Sequence, residues 1–294
     1  MSDESGFGNR FERILTGFFA VGSGLILIFL AVHGPMFAGR IHYKTADFVN
    51  NQLIGQDAVN LAVLSPLLLL GGLALFFRKP AGKYLLIFTP LFLIYYVLSY
   101  AIGWEWSAPG YSGNSERYFF LFLFVLIAAL VIMLYTLAVF PRDRTARFSK
   151  TGLGVYTGWM ALFLLVFAVN WSKEVVQVIT TGTARGYDAA PAAFWLVRVF
   201  DLGFSIPLGL ISLYLLWARP KSSYPIQFLF YGFFLTQIVA VNAMGLMMLV
   251  KRDPTFLWRD LAVFSGLGLL LAFGFIYVLR HFKKDPAGLP QAGR

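Results

Sequence analysis

Residues 88–103, FTPLFLIYYVLSYAIG, and residues 230–245, FYGFFLTQIVAVNAMG, decide how this chain is organised. Laid over one another at a spacing of 142, they place Phe88 on Phe230, Phe92 on Phe234, Leu93 on Leu235, Val97 on Val239, Ala101 on Ala243 and Gly103 on Gly245. The register continues without a gap through Arg117 on Arg259, Phe122 on Phe264, Tyr135 on Tyr277, Phe140 on Phe282 and Asp143 on Asp285. Upstream, at a spacing of 141, Asn60-Leu61 and Pro66-Leu67 fall on Asp201-Leu202 and Pro207-Leu208. Matches among Phe and Leu arise easily in an apolar chain. A register that survives a polar loop and ends on Arg and Asp does not. The pattern predicts a tandem duplication, with one unit over residues 1–146 and the second over 147–294, joined in one bundle.

Composition says what each unit is made of. The chain is 59% hydrophobic and 13% charged, with a mean hydropathy of +0.71, outside the range of soluble globular domains. A helix needs about 20 apolar residues to cross a bilayer. Eight runs meet that length: roughly 13–34, 58–77, 84–103, 118–140, 152–171, 197–217, 224–249 and 259–280. Continuous apolar runs point to helices, whereas a membrane barrel shows only weak alternation. The expected fold is an all-α integral membrane protein of eight transmembrane helices, a parallel repeat of two four-helix units. An even number of helices inserts both units the same way, about a pseudo-two-fold axis along the membrane normal. The first run is expected to stay as a membrane helix, because its leading segment mixes acids with bases and its core is longer than that of a secretory leader.

The formal charge of +10 has a topological explanation. With the N-terminus in the cytoplasm, the inner connections hold 15 Lys and Arg and the outer ones eight. That bias satisfies the positive-inside rule with both termini cytoplasmic, in a cell membrane and most simply a prokaryotic inner membrane. Membrane lipids are the expected partners of the basic surface, and nothing beyond net charge supports nucleic acid. The absence of cysteine excludes disulfides, thiolate catalysis and cysteine-ligated metals.

The polar residues inside the apolar runs gather toward the outer ends, while the inner half is predicted to be nearly all Leu, Phe and Ile. The outer connections, about 35–57, 104–117, 172–196 and 250–258, are also the longer ones, where function concentrates. Pro66 and Pro207 fall mid-helix and predict a matched pair of kinks. Asp57 and Asn60 are three apart on one helical face, and Arg198 and Asp201 on the matching face. A two-fold axis that brings these faces together pairs Asp57 with Arg198 and Asn60 with Asp201. Such pairs either lock two halves in register or line a ligand site. Tyr100, Trp104 and Glu105 form a second candidate. Tyr and Trp at a boundary normally anchor the helix, but a Glu between two Trp also suits a cation or an amine. Asn242 stands opposite Tyr100 in the repeat.

Much familiar chemistry is missing. His33, His42 and His281 are the only histidines, too few and too scattered for a bis-histidine haem or a three-histidine zinc site. No nucleophile elbow, phosphate loop or zinc-protease helix occurs. Neither a metal nor another cofactor is expected, and no catalytic residue can be named. Three functions fit. One is binding or transport of a small amphiphilic or apolar solute at an outward-facing polar pocket formed by Asp57, Asn60, Tyr100, Trp104, Glu105, Arg198, Asp201 and Asn242. Another is an accessory subunit that partners other membrane proteins or its own copies. The third is a membrane enzyme acting on a lipid or isoprenoid at the outer leaflet.

Overall fold

A computed structural model describes residues 8–102 and 110–284. Eleven helices appear among them: α1 (Arg10–His33), α2 (Asp47–Val59), α3 (Ser65–Phe76), α4 (Ala81–Leu86), α5 (Pro90–Ile102), α6 (Phe119–Val139), α7 (Lys150–Thr181), α8 (Pro191–Phe200), α9 (Ile206–Ala218), α10 (Ser223–Val250) and α11 (Trp258–His281). Two short strands, β1 (Arg144–Ala146) and β2 (Phe282–Lys284), pair antiparallel, with Thr145 opposite Lys283. Seven helical segments are long and apolar enough to cross a membrane, and residues 90–101 form a shorter apolar one. This is an all-α architecture compatible with a multi-pass membrane protein.

Local chemistry explains the element ends. Asn9 and Glu12 form a capping box at the start of α1, with Glu12 N–H donating to Asn9 Oδ1 at 2.8 Å and Asn9 N–H to Glu12 Oε2 at 3.1 Å. Ser149 caps α7, accepting from Gly152 N–H. At its other end Gly182, at φ 75°, closes the helix in the left-handed region that glycine tolerates. The expected 84–103 span is interrupted. Pro90 has no N–H to give the preceding turn, so α4 ends at Leu86 and α5 begins at the proline. Two loop expectations also shift. α7 runs ten residues past Trp171, and α2 begins at Asp47, because a polar helix packed along α10 leaves no long apolar run in the sequence.

The kinks expected at Pro66 and Pro207 take another form. A five-residue π turn precedes each proline, Asn60–Leu64 before α3 and Asp201–Ser205 before α9. A proline cannot donate, and its ring crowds the carbonyl four residues back. A widened turn moves that carbonyl away: Ser65 N–H reaches Asn60 O, and Ile206 N–H reaches Asp201 O, each five residues earlier. The two π turns stand at the matched positions of the sequence repeat, and each opens on one of its polar residues.

Packing follows a related pattern in both halves. α1 lies on α3 and α7 on α9; α5 lies on α6 and α10 on α11. Between the halves α5 packs on α10, α2 runs along α10, and α8 touches α5. Gly55 makes the α2–α10 approach possible, since a Cβ there would lie 2.5 Å from the Ala243 carbonyl and Met244 N. One end of the bundle holds β1 and β2, with Ala146 N–H bonded to Pro220 O and Arg147 N–H to His281 O. At the opposite, loop end, residues 40–42 are joined to Asn114, and the 250–260 connection to Asn51 and Arg185. Buried polar side chains are not confined to the loop end: Thr89, Thr136, Ser212 and Gln227 are fully enclosed, and Gln227 Nε2 donates to Ser212 O at 2.8 Å.

Candidate functional site

The loop end contains a cavity of about 340 Å³, lined chiefly by Tyr43, Thr45, Asp47, Asn50, Asn51 and Tyr111. Its rim is built by one asparagine. Asn114 Oδ1 accepts from His42 N–H at 2.9 Å, and its Nδ2 donates to Arg40 O at 2.9 Å. Gly113 lies against the same strand of chain, with no room for a Cβ beside His42 O. This clip turns Ile41 and Tyr43 inward, where both are buried. On the opposite wall Asn51 Nδ2 donates to Asp253 Oδ2 at 2.7 Å, tying α2 to the 250–258 connection. Asp253 also accepts from Thr255 N–H at 2.9 Å and from its hydroxyl at 2.6 Å. Burial alone would raise the Asp253 carboxyl, but the Thr255 hydroxyl, the Asn51 amide and the Thr255 backbone outweigh it and hold it below the usual carboxylate range.

Tyr43 forms the floor. Beneath it lies a closed cluster of polar and aromatic side chains. Tyr43 meets Tyr100 edge-on at 5.2 Å, and Tyr100 meets Tyr96 at 4.2 Å. Asp57 sits among these tyrosines, 1% exposed. Its Oδ2 accepts one long hydrogen bond, 3.4 Å from Met36 N, and occupies the space where a Cβ on Gly34 would be. Among the described residues it has no ion-pair partner. One helical turn on, Gln56 Nε2 donates to Asn60 Oδ1 at 2.9 Å. Asn60 Nδ2 and the Tyr96 hydroxyl lie next to each other in the same cluster. Above them the Thr45 hydroxyl, buried in the cavity wall, has no partner.

The matched π turn in the second half is built differently. Asp201 accepts from Trp171 Nε1 at 2.8 Å and from Ser205 Oγ at 3.3 Å. The Tyr95 hydroxyl of α5 also meets it. Arg198 pairs with Glu174. Its guanidinium lies 4.3 Å from the Trp171 ring centre and 3.9 Å from that of Phe194, a cation–π arrangement. The expected Asp57–Arg198 and Asn60–Asp201 pairs therefore do not form. The helices meeting at the centre of the bundle are α5 and α10; α2 and α8 flank them and are kept apart.

The sequence candidates thus separate. Asp57, Asn60 and Tyr100 belong to the cluster under the cavity. Arg198 and Asp201 belong to the second network. Asn242 joins α10 to α11, donating to Ile238 O at 2.8 Å and accepting from Ser265 Oγ at 2.7 Å. Trp104 and Glu105 lie outside the described residues. Sequence reasoning missed Tyr43, Thr45, Asn50 and Asn51, which fall in what looked like an outer loop, and Trp171 and Glu174, which fell at the edge of another. Only the spacing of Asn51, Gln52, Gln56 and Asn60 hinted that a polar helical face continues outward from the π turn.

Both centres keep buried polar atoms without a partner, and they differ in how the acid is held. A buried polar atom left without a partner costs about 1–3 kcal/mol. The Asp201 network gives its acid donors from Trp171 and Ser205 and pairs its base with Glu174, while Arg198 Nε has no partner. The Asp57 acid has a single long hydrogen bond and no ion-pair partner among the described residues, and the Thr45 hydroxyl in the cavity wall has none. Comparison of the chain with protein-family models, curated proteins and solved structures finds no match in any of the three.

Proposed function

We propose that this polytopic membrane protein binds a small amphiphilic solute in the cavity at its loop end, as a binding protein or as the outward-facing state of a transporter. The observation that carries the reading is the polar cavity of about 340 Å³ closed below by Tyr43 over the buried Asp57 cluster. Its volume falls within the range of small-molecule sites, about 300–1,000 Å³. The scaffold in this proposal is eight crossings in two four-helix units, 1–146 and 147–294, with both termini cytoplasmic. The charge bias, the matched π turns and the parallel contacts of α1 with α3 and α7 with α9 support it. The loop end then faces outward, and the Asp201–Arg198 network holds the second unit together.

Two measurements test this. Native mass spectrometry of protein extracted from its own membrane is expected to release a small molecule that is absent from Ile54→Trp, which fills the cavity. A wild-type protein that binds no compound from a broad solute panel, and matches the variant throughout, refutes the binding reading. Topology is accessible because the chain has no cysteine. A single thiol at Arg40 is expected to react with an impermeant maleimide on intact cells and one at Lys221 only after lysis; the reverse pattern overturns the orientation.

A further inference from the structure

We propose that the cavity selects a small organic cation, an alkylammonium group, through the Asp47 carboxylate and the rings of Tyr43 and Tyr111. The proposal rests on the solute-binding reading above and adds the chemical class.

Charge gives the first reason. The chain as a whole carries +10, yet the described cavity lining contains one carboxylate, Asp47, and neither Lys nor Arg. The adjacent Lys44 is engaged by Glu116 at 3.5 Å. His42 also lines the cavity. An anion entering here meets the Asp47 carboxylate and, among the described lining residues, neither Lys nor Arg.

Ring geometry gives the second. A cation placed over a tyrosine face gains about 0.5–2 kcal/mol, more as water is excluded. Both cavity tyrosines are fixed: Tyr43 by its edge-on contact with Tyr100 at 5.2 Å, and Tyr111 by its hydroxyl on Ala189 O. Rings held in place lose little freedom when a ligand arrives.

Asp47 lies in the first turn of α2, where an acid complements the helix dipole. Stability alone therefore does not reveal its role in binding, and the experiment reads affinity.

The probe is choline, with its uncharged carbon isostere 3,3-dimethylbutan-1-ol as the matched control and 3,3-dimethylbutyrate as the anion. Binding to the full chain is measured by calorimetry in a maltoside detergent, which has no ammonium head group to compete. Choline is expected to bind at least tenfold more tightly than the isostere, and the anion not at all. Asp47→Asn is expected to lose about tenfold for choline and nothing for the isostere. Equal binding of choline and isostere, preference for the anion, or an unchanged affinity in Asp47→Asn overturns the proposal. If choline fails while another solute is bound and is lost in Ile54→Trp, the cation assignment falls and the binding reading stands. If no solute is bound, or Ile54→Trp changes nothing, both fall.

Discussion

Substituting Gly55 with alanine probes the contact on which the cavity wall depends. The new Cβ would sit 2.5 Å from the carbonyl carbon and oxygen of Ala243 and from Met244 N. Ordinary carbon contacts lie at about 3.5–4.0 Å, so α2 and α10 must separate by about 1 Å. The opposing atoms are backbone and cannot rotate aside. Overpacking of this kind costs about 1–3 kcal/mol, against a gain of about 0.5–1 kcal/mol for replacing a helical glycine by alanine. The net expectation is a loss of about 1–2 kcal/mol. Gly158, on α7, supplies the control, because nothing lies within 4 Å of a Cβ built there; its alanine variant keeps only the propensity gain. At about 2–4 °C per kcal/mol for chains somewhat shorter than this one, the two variants are expected to melt about 3–10 °C apart in detergent, followed by tryptophan fluorescence. A Gly55→Ala protein that melts at or above the wild type refutes the close approach of α2 to α10. Asn51 and Ile54 lie on the same helix and line the cavity, so the variant is also expected to bind solute more weakly.

Other perturbations bear on the remaining networks. Removing the Asn51–Asp253 contact by Asn51→Ala is expected to cost about 1.5–3 kcal/mol, as for hydrogen bonds to charged groups, in a melting experiment at neutral pH. The depressed Asp253 carboxyl contributes stability that is full above its unfolded-state pKa of about 3.9 and is lost as pH falls through its lower folded-state value; below pH 4 the wild type should lose melting temperature faster than Asp253→Asn. Tyr156 and Tyr231 share a buried hydroxyl–hydroxyl hydrogen bond, so each single Phe variant is expected to cost about 1–3 kcal/mol and the double variant clearly less than the sum; strict additivity in a double-mutant cycle would remove the pair. For Arg198, charge exchange with Glu174 (Arg198→Glu with Glu174→Arg) is expected to restore the folded yield lost in either single variant, while Asp57→Arg with Arg198→Asp does not, as measured by size-exclusion chromatography.

How much of this was legible in the sequence depends on what each residue faces. Apolar runs bordered by lipid report themselves, because a helix that satisfies its own backbone must present some twenty apolar side chains to the bilayer. The segment of α2 from Asp47 to Gln56 does not, because it packs along α10 and its polar side chains meet protein and cavity. It looked like loop, and with it the cavity wall was lost. Pro66 and Pro207 were visible as disruptions, but a kink and a π turn begin from the same missing donor, and only the packing of α1 on α3 and α7 on α9 accompanies the wider turn.

The sequence by itself determined the helical membrane class, the matched positions of Asn60 with Asp201 and Pro66 with Pro207, and the gathering of Asp57, Asn60 and Tyr100 toward one end. These follow from composition and spacing along a chain, which are local quantities. Tertiary structure alone decided which of the paired polar residues meet. With α5 and α10 at the centre of the bundle, Arg198 was left to Glu174 and Trp171, and Asp57 to a ring of tyrosines. Partner choice depends on which helices occupy the axis, and that is settled by close approaches such as Gly55 on Ala243, where the absence of one methyl group lets two helices touch.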